Sequence, residues 1–366
     1  MASEVKTGAT AEGTKRFAER SGGLPGRYSS ALDLAWSGVG IGTYLGAAND
    51  ATDTLVTNAA IAAVRGGINV IDTAANYRGG RGEASLGKAL SAVFKDGDAS
   101  RDELILCTKA GYLPTSGDVF KDTYVGKDGI SEDDLVGGNH CLHPAYLSDR
   151  IDLSRKALGV DKLDIFYLHN PEAQLAHVAR DVFDNRLKAA FEVLEEACRE
   201  GRIGCYGLAT WRAFRLSPGE PGYISISGAK GLAKIVAGDQ PDNFKCVQMP
   251  LALTMPEALS RPTQWVGDVT VPAVAAARLL GLAVVTSGSI GQAKGPAMND
   301  SLKKWLGEEL SSDTQRALQF TRSVTGVTSA LVGMKQGAHV VENLELFQQA
   351  TLPRARLELM FRHKPV

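Results

Sequence analysis

The sequence lacks the features that mark membrane, secreted or nucleic-acid-binding proteins. No stretch of its 366 residues approaches the roughly 18 consecutive apolar residues that a membrane-spanning helix requires. Basic and acidic residues nearly balance, with 40 Lys and Arg against 41 Asp and Glu, so no basic surface for nucleic acid or anionic lipid is indicated. Residues 1–23 contain no apolar core of a secretory signal. We therefore expect no membrane partner and no nucleic-acid partner.

Cysteine is scarce, and the common catalytic signatures are missing. An odd number of cysteines far apart, with no C-x-x-C pair, predicts reduced thiols in a cytoplasmic protein rather than a disulfide framework or a zinc site. The sequence has no G-x-S-x-G, no H-E-x-x-H and no carboxylate cluster for magnesium, and no G-x-G-x-x-G follows an early strand. No metal site is predicted. The cysteines are Cys107, Cys141, Cys198, Cys205 and Cys246.

What the sequence does contain is a regular alternation of strand and helix patterns. Short, nearly continuous apolar runs, each followed by a helical pattern, are typical of a parallel sheet covered by helices. Eight such units favour a closed α/β barrel, a (β/α)8 TIM barrel, over an open doubly wound sheet. The eight predicted strand segments are 39–44, 68–74, 103–111, 163–171, 203–211, 244–251, 282–290 and 328–335.

Three segments lie outside this repeat. Residues 1–35 are polar and rich in Gly and Ser, which predicts an N-terminal extension that caps a barrel of residues 36–350, and residues 351–366 form a C-terminal tail. Residues 111–145 form a long loop after the third strand. Because loops at the carboxyl ends of barrel strands build the active site, this loop is a candidate substrate wall, with an exposed insertion as the alternative.

Four polar side chains occur where early strands end, or directly after them. Asp72, Lys109 and His169 close apolar runs, and Tyr77 follows Asp72 in the next loop. A buried carboxylate or ammonium is costly unless it is paired, and neighbouring barrel strands would bring Asp72 and Lys109 together. One such residue alone is commonly a helix cap or a satisfied core group. Four on successive strands at the catalytic end of this fold indicate an active site.

These residue types suit proton transfer at a carbonyl group. A tyrosine with a pKa near 10 is a poor acid or base at neutral pH unless a cation stabilises its phenolate. Lys109 can supply that cation, and Asp72 can keep Lys109 charged and oriented. His169 can donate a hydrogen bond that holds the carbonyl oxygen. The set is equipped for carbonyl reduction if a hydride source is present.

The same segments resemble the aldo-keto reductase family from about residue 36 to residue 349. The resemblance is carried by segments 67–90, 104–112 and 163–172, which contain the four polar residues, and by segments 194–211 and 330–344. It implies a barrel that binds a nicotinamide cofactor without a Rossmann domain and transfers a hydride to or from a small-molecule carbonyl or alcohol. NADP(H) is the preferred cofactor and NAD(H) the alternative.

Residue by residue, the resemblance assigns Asp72, Tyr77, Lys109 and His169 as the catalytic tetrad. The cofactor-binding residues that it implies are Gly42, Thr43, Tyr44, Asp72, Thr210, Gln248, Ser287, Gly288, Ser289, Ile290, Lys335, Glu342 and Asn343.

Four positions depart from the family pattern. Ala209 and Thr210 replace a Ser and an Asn, Ser287 replaces an aromatic residue that stacks on the nicotinamide, and Val341 replaces a basic residue that grips the 2′-phosphate. Lys335 remains and can meet a phosphate as a point charge. Because no arginine is present to bind the phosphate in a bidentate way, the expected preference for NADP(H) is weakened.

Two functional alternatives stay open. The chain could work in the oxidative direction, as sugar and pyridoxal dehydrogenases of the family do. It could also be a cofactor-binding regulatory subunit like the family's potassium-channel β subunits. The oligomeric state and the substrate are not predicted.

Overall fold

The computed structural model describes residues 7–22, 26–291 and 298–362. Its strands, in chain order, are β1 (Tyr28–Ala31), β2 (Leu34–Ser37), β3 (Val39–Gly42), β4 (Val70–Asp72), β5 (Ile105–Ala110), β6 (Leu163–His169), β7 (Ile203–Ala209), β8 (Phe244–Pro250), β9 (Pro262–Val266), β10 (Val269–Pro272), β11 (Ala283–Ser287) and β12 (Ser329–Gly333). Its α-helices are α1 (Ala11–Arg20), α2 (Asp50–Arg65), α3 (Arg81–Asp96), α4 (Gly117–Tyr124), α5 (Pro144–Leu158), α6 (Arg180–Arg199), α7 (Ile226–Ala237), α8 (Glu257–Ser260), α9 (Ala273–Leu279), α10 (Asp300–Leu306), α11 (Asp313–Ser323), α12 (Gly337–Phe347) and α13 (Arg354–Arg362).

Eight parallel strands close into a barrel in the order β3, β4, β5, β6, β7, β8, β11 and β12, with β12 pairing back to β3. The predicted TIM barrel is therefore confirmed, and each of its strands lies inside the corresponding predicted segment. The sequence after the sixth strand predicts a helix over residues 270–281, and this prediction is wrong at its start. Residues 270–272 belong to β10 rather than to a helix, because they pair antiparallel with β9 and the helix begins only at Ala273.

The segment before the barrel is folded. Helix α1 packs near the start of β5 through Arg16 and Arg20, which both bind Glu103. The hairpin of β1 and β2 carries Trp36, which is fully buried in one cluster with Val70 and Ile105, the first residues of β4 and β5. A large aromatic side chain thus closes the amino end of the barrel. The predicted boundary at residue 35 falls inside β2.

The long loop of residues 111–145 also contains regular structure, namely α4 and the short 3-10 helix Glu132–Asp134. Residues 351–366, predicted as a tail, include α13. All five cysteines are free thiols. Among the residues that the structure describes, no helix is long and apolar enough to cross a membrane, and no group of three or more His, Cys, Asp or Glu side chains could hold a metal ion.

Candidate active site

The side-chain alternation of the strands directs polar groups into the carboxyl end of the barrel. Successive side chains of a strand point to opposite faces, so residues two apart share a face. Val70, Cys107, Tyr167 and Cys246 all lie in the apolar cluster inside the barrel. The residues two positions further along are Asp72, Lys109, His169 and Gln248. The inward face of each strand therefore changes from apolar to polar at its carboxyl end.

Asp72 and Lys109 form a buried ion pair at the bottom of this polar layer. Lys109 Nζ lies 2.5 Å from Asp72 Oδ1 and donates a second hydrogen bond of 2.7 Å to the carbonyl oxygen of Thr73. Gln248 Nε2 donates to Asp72 Oδ2 at 2.9 Å. Burial alone would lower the pKa of Lys109, but the charge of Asp72 and its hydrogen bond to Lys109 outweigh burial, and the pKa is raised. Lys109 therefore carries a positive charge beneath the site.

Tyr77 lies above this charge on the loop between β4 and α3. Lys109 Nζ is 5.0 Å from the centre of the Tyr77 ring, and the rings of Tyr44 and His169 meet it edge-on at 5.1 and 5.7 Å. Burial raises the pKa of Tyr77, and the Lys109 charge opposes that rise without cancelling it. The phenol is thus protonated at neutral pH, with a cation placed to stabilise its phenolate.

His169, the last residue of β6, is neutral. Its pKa is held well below the usual value by burial first, and then by the charge of Lys109 and by His140. Its Nδ1 is buried and makes no hydrogen bond within the described residues. A buried N–H without an acceptor would be costly, so the proton is best placed on Nε2. The ring can then donate from Nε2.

The residue after Tyr77, Arg78, fixes the loop through hydrogen bonds to two helices. Arg78 adopts a left-handed conformation with φ of 53°, which is unfavourable for a residue with a side chain. Its guanidinium is buried, bonded to Asp53 Oδ1 at 2.5 Å and to Ser85 Oγ at 2.8 Å. Anchors on α2 and α3 thereby hold the backbone beside the phenol.

A cavity of about 650 Å³ opens at this end of the barrel, within the usual size range of small-molecule sites. Of the predicted site residues, its lining includes Gly42, Tyr44, Asp72, Tyr77, His169, Thr210, Gln248, Ser287, Gly288 and Ile290.

The remaining predicted site residues do not line this cavity. Lys109 lies beneath it, Thr43 is buried and hydrogen-bonded to Thr73, and Ser289 is buried against Thr286. Outside the cavity, Lys335 lies on the loop after β12, and α12 carries Glu342 and Asn343.

Nine lining residues were not among the predicted site residues, and four of them carry polar or aromatic side chains. Asn76, Tyr112, Asn170 and Trp211 all face the cavity, and each lies within three residues of a predicted site residue or of a barrel strand. Trp211 reaches from the end of β7 to β11, where a Cβ built on Gly288 would lie 3.4 Å from the indole ring. Its position was recognisable only once the closed barrel had brought these strand ends together.

The residues present are compatible with a nicotinamide cofactor. Gln248, Thr210 and Ser287 offer polar groups at the cavity wall. Asn343 is buried, and its Oδ1 has no hydrogen-bond partner among the described residues, as expected of a side chain that binds a ligand. Glu342 is engaged, since it accepts a hydrogen bond from Ser312. Val341 is exposed and offers no charge.

Comparison with known proteins finds similarity to one enzyme family. Residues 38–218 match the model of the aldo/keto reductase family. The chain is 31% identical over 152 residues to a D-threo-aldose 1-dehydrogenase from Pseudomonas sp.. That match covers 39% of this chain and 40% of the relative, so it spans less than half of either protein.

Solved structures share the whole fold at low identity. An aldo/keto reductase from Klebsiella pneumoniae, in complex with NADP and acetate, aligns with a TM-score of 0.62 and 18% identity, over 93% of this chain and 96% of that one. A holo-form aldo-keto reductase from Bacillus halodurans aligns with a TM-score of 0.58 and 20% identity, over 92% and 94%.

Proposed function

We propose that this chain is a member of the aldo/keto reductase family, whose model matches residues 38–218, and that it is an NAD(P)(H)-dependent oxidoreductase that interconverts a carbonyl group and an alcohol. One observation carries the proposal. A buried Asp72–Lys109 ion pair lies directly beneath the Tyr77 phenol, with the neutral His169 beside it, at the base of a cavity. The stability of the fold does not require a phenol above a buried ammonium group. Acid–base catalysis does require one, because the ammonium stabilises the phenolate that forms.

In the reducing direction, Tyr77 donates its proton to the oxygen of the substrate carbonyl. Lys109 stabilises the phenolate that forms, and Asp72 keeps Lys109 charged and oriented. The Nε2–H of His169 holds the substrate oxygen near the phenol. A nicotinamide cofactor held beside Gln248 and Thr210 would supply the hydride chemistry at the substrate carbon. The catalytic set of our proposal is thus Asp72, Tyr77, Lys109 and His169.

We propose NADP(H) as the preferred cofactor and NAD(H) as the alternative. Two of the structural neighbours were solved with NADP or NADPH, and Lys335 is the one predicted contact that could meet a 2′-phosphate. Gln248 and Thr210 would hold the carboxamide end, and Asn343 the adenosine end.

We propose a sugar-type substrate, with oxidation as a second possible direction. The relative from Pseudomonas is named as an aldose dehydrogenase, and the cavity presents the amides of Asn76 and Asn170 beside the rings of Tyr44, Tyr112 and Trp211. Amides can bind hydroxyl groups, and aromatic faces can pack against the C–H groups of a sugar. We also propose that the protein is located in the cytoplasm.

The test compares Tyr77→Phe with Tyr44→Phe, which removes a different phenol from the same cavity. Initial rates are measured with NADPH and NADH across a panel of aldehydes and aldoses, in both directions. We expect Tyr77→Phe to lose activity by about 10²-fold or more, the range of general acid–base catalysis, while cofactor affinity measured by fluorescence is kept. Tyr44→Phe should retain most of the rate. Cofactor binding by the unaltered chain without turnover of any substrate would refute the enzyme and favour the regulatory alternative.

A further inference from the structure

His140 lies beneath the catalytic histidine but outside the cavity. It belongs to the loop after β5 and is 1% exposed. Its Nε2 is 2.9 Å from the carbonyl oxygen of His169, and its Nδ1 is 3.3 Å from Gln174 Nε2. Gln174 is fully buried, and its Oε1 accepts a hydrogen bond of 3.0 Å from Arg186 Nη1. Arg186 also donates to the carbonyl oxygen of Asp133 at 2.8 Å.

The direction of this chain of hydrogen bonds is imposed by its two ends. Arg186 can only donate, so Gln174 must turn its oxygen toward Arg186 and its amide N–H toward His140. His140 Nδ1 must therefore accept. Its proton then lies on Nε2, where it meets the carbonyl oxygen of His169, which can only accept. Only this arrangement gives every polar atom on the path a hydrogen-bond partner. Burial keeps His140 neutral, because it lowers the pKa of the ring to about 4.

Gly111 provides independent support for this contact. A Cβ built on Gly111 would lie 2.8 Å from His140 Nε2 and 2.8 Å from the carbonyl oxygen of His169. The hydrogen bond between the two histidines thus passes directly over a residue that has no side chain. Gly111 follows β5 with φ of 144°, a conformation that favours glycine.

The His169 ring has little else to hold it. Its Nδ1 has no hydrogen-bond partner in the described part of the chain, so its orientation depends on its backbone and on ring contacts. Directly after it, Asn170 turns the backbone into a left-handed conformation with φ of 46°. The Tyr112 ring meets both His140 and His169 edge-on, at 4.9 and 5.4 Å. His140 therefore contacts both the backbone of His169 and the aromatic ring that packs against its imidazole.

We propose that His140 is a positioning residue, which acts with Gln174 and Arg186 as a hydrogen-bond relay that holds the carboxyl end of β6 and so aims the His169 imidazole at the substrate oxygen. This role rests on the proposed carbonyl–alcohol chemistry. The relay also explains how the long loop of residues 111–145 contributes to the site. The loop follows β5, the strand that carries Lys109, and it contains both Tyr112 and His140.

The kinetic test compares His140→Leu with His140→Gln. Leucine cannot donate to the His169 carbonyl, whereas the amide of glutamine can. We expect kcat to fall about tenfold in His140→Leu, the effect of one lost hydrogen bond at the site, with the cofactor dissociation constant unchanged. His140→Gln should recover most of that loss. Wild-type kcat in His140→Leu, or equal losses in both variants, would overturn the relay.

A matched pair separates positioning from stability. Gln319 lies in a similar arrangement away from the cavity, accepting from Arg322 Nε at 2.6 Å and donating to the carbonyl oxygen of Ala350 at 2.8 Å. Gln174→Leu and Gln319→Leu should lower the thermal midpoint alike, but only Gln174→Leu should lower kcat. Parallel loss of kcat in both would contradict the proposal.

A further readout needs no turnover, so it separates failure of the relay from failure of the proposed function. Nitrogen-15 spectra of the histidine rings, with the His140 signal assigned by its absence in His140→Gln, should show the neutral Nε2–H tautomer at neutral pH. The Nδ1–H tautomer would overturn the relay even in an active enzyme. If His140→Leu does not fold, Arg186→Met tests the partly exposed end: kcat should fall while the Nε2–H tautomer, still fixed by the His169 carbonyl, is retained, and an unchanged kcat would refute the relay.

Discussion

The charge of Lys109 can be tested by Lys109→Met, which keeps a long apolar side chain and removes the cation. At the 5.0 Å between Lys109 Nζ and the centre of the Tyr77 ring, one unit charge stabilises a phenolate by about 3 kcal/mol at an effective dielectric constant of about 20. Full loss of that stabilisation slows proton transfer on the order of 10²-fold. A single-turnover measurement with NADPH and excess aldehyde reads this step directly. Cofactor affinity should change little, because Lys109 lies beneath the cavity.

The same substitution also affects stability, and the two effects can be separated. Lys109→Met leaves the buried carboxylate of Asp72 unpaired, which costs about 3–5 kcal/mol of the free energy of unfolding. The double variant Asp72→Asn/Lys109→Met removes that unpaired charge, so we expect it to regain stability but not rate. Arg101→Met is the control, because it breaks another buried ion pair, to Asp164 at 2.8 Å, away from the cavity. Urea unfolding measures the free energy of unfolding of all three variants.

Three results would refute this reasoning. If Lys109→Met reduces substrate within a few-fold of the unaltered rate, the cation does not stabilise a developing phenolate. If the double variant regains rate together with stability, the slow turnover of Lys109→Met reflects a disturbed fold. Loss of rate in Arg101→Met would likewise show that breaking any buried ion pair impairs the site.

Three further predictions concern pH and the supporting structure. Burial raises the pKa of Tyr77 above its usual value, so the phenol stays protonated through neutral pH. Reduction should therefore stay level through neutral pH and fall only under strongly alkaline conditions, while oxidation rises with pH; a reduction rate that falls near neutrality would contradict this. Trp36→Ala should cost about 3–5 kcal/mol of unfolding free energy without lowering kcat, because Trp36 lies at the opposite end of the barrel; a large fall in kcat would show that the two ends are coupled. Arg78→Ala should be less stable in urea than Arg78→Gly by about 1 kcal/mol, since glycine adopts the φ of 53° without penalty; equal stabilities would show that the backbone is not strained there.

The pairing of Asp72 with Lys109 could be anticipated because it depends on sequence periodicity. Each residue ends an apolar run, and neighbouring strands of a parallel barrel place such ends side by side. The partner of the other carboxylate oxygen could not be anticipated. Gln248 lies 176 residues from Asp72 in the sequence, and it reaches the carboxylate only because the barrel closes and brings β8 within reach of β4.

The supporting contacts of the site were beyond prediction for a related reason. Trp211, His140 and Gln174 come from the connections after barrel strands, whose backbone follows no repeating pattern, and they meet Arg186 of α6 only in the folded chain. Gly111 shows the difference most clearly. Its sequence position marks only the end of a strand, whereas its lack of a side chain matters because two histidines 29 residues apart meet above it.

The sequence by itself determined the eightfold strand–helix order and the polar residues at the strand ends. These follow from local periodicity and from the cost of burying a charge. Only the tertiary structure decided that Trp36 closes one end of the barrel, that Trp211 reaches across to Gly288 and that His140 supports the backbone of His169. Those contacts join segments far apart in the chain, and their geometry exists only after the barrel has closed.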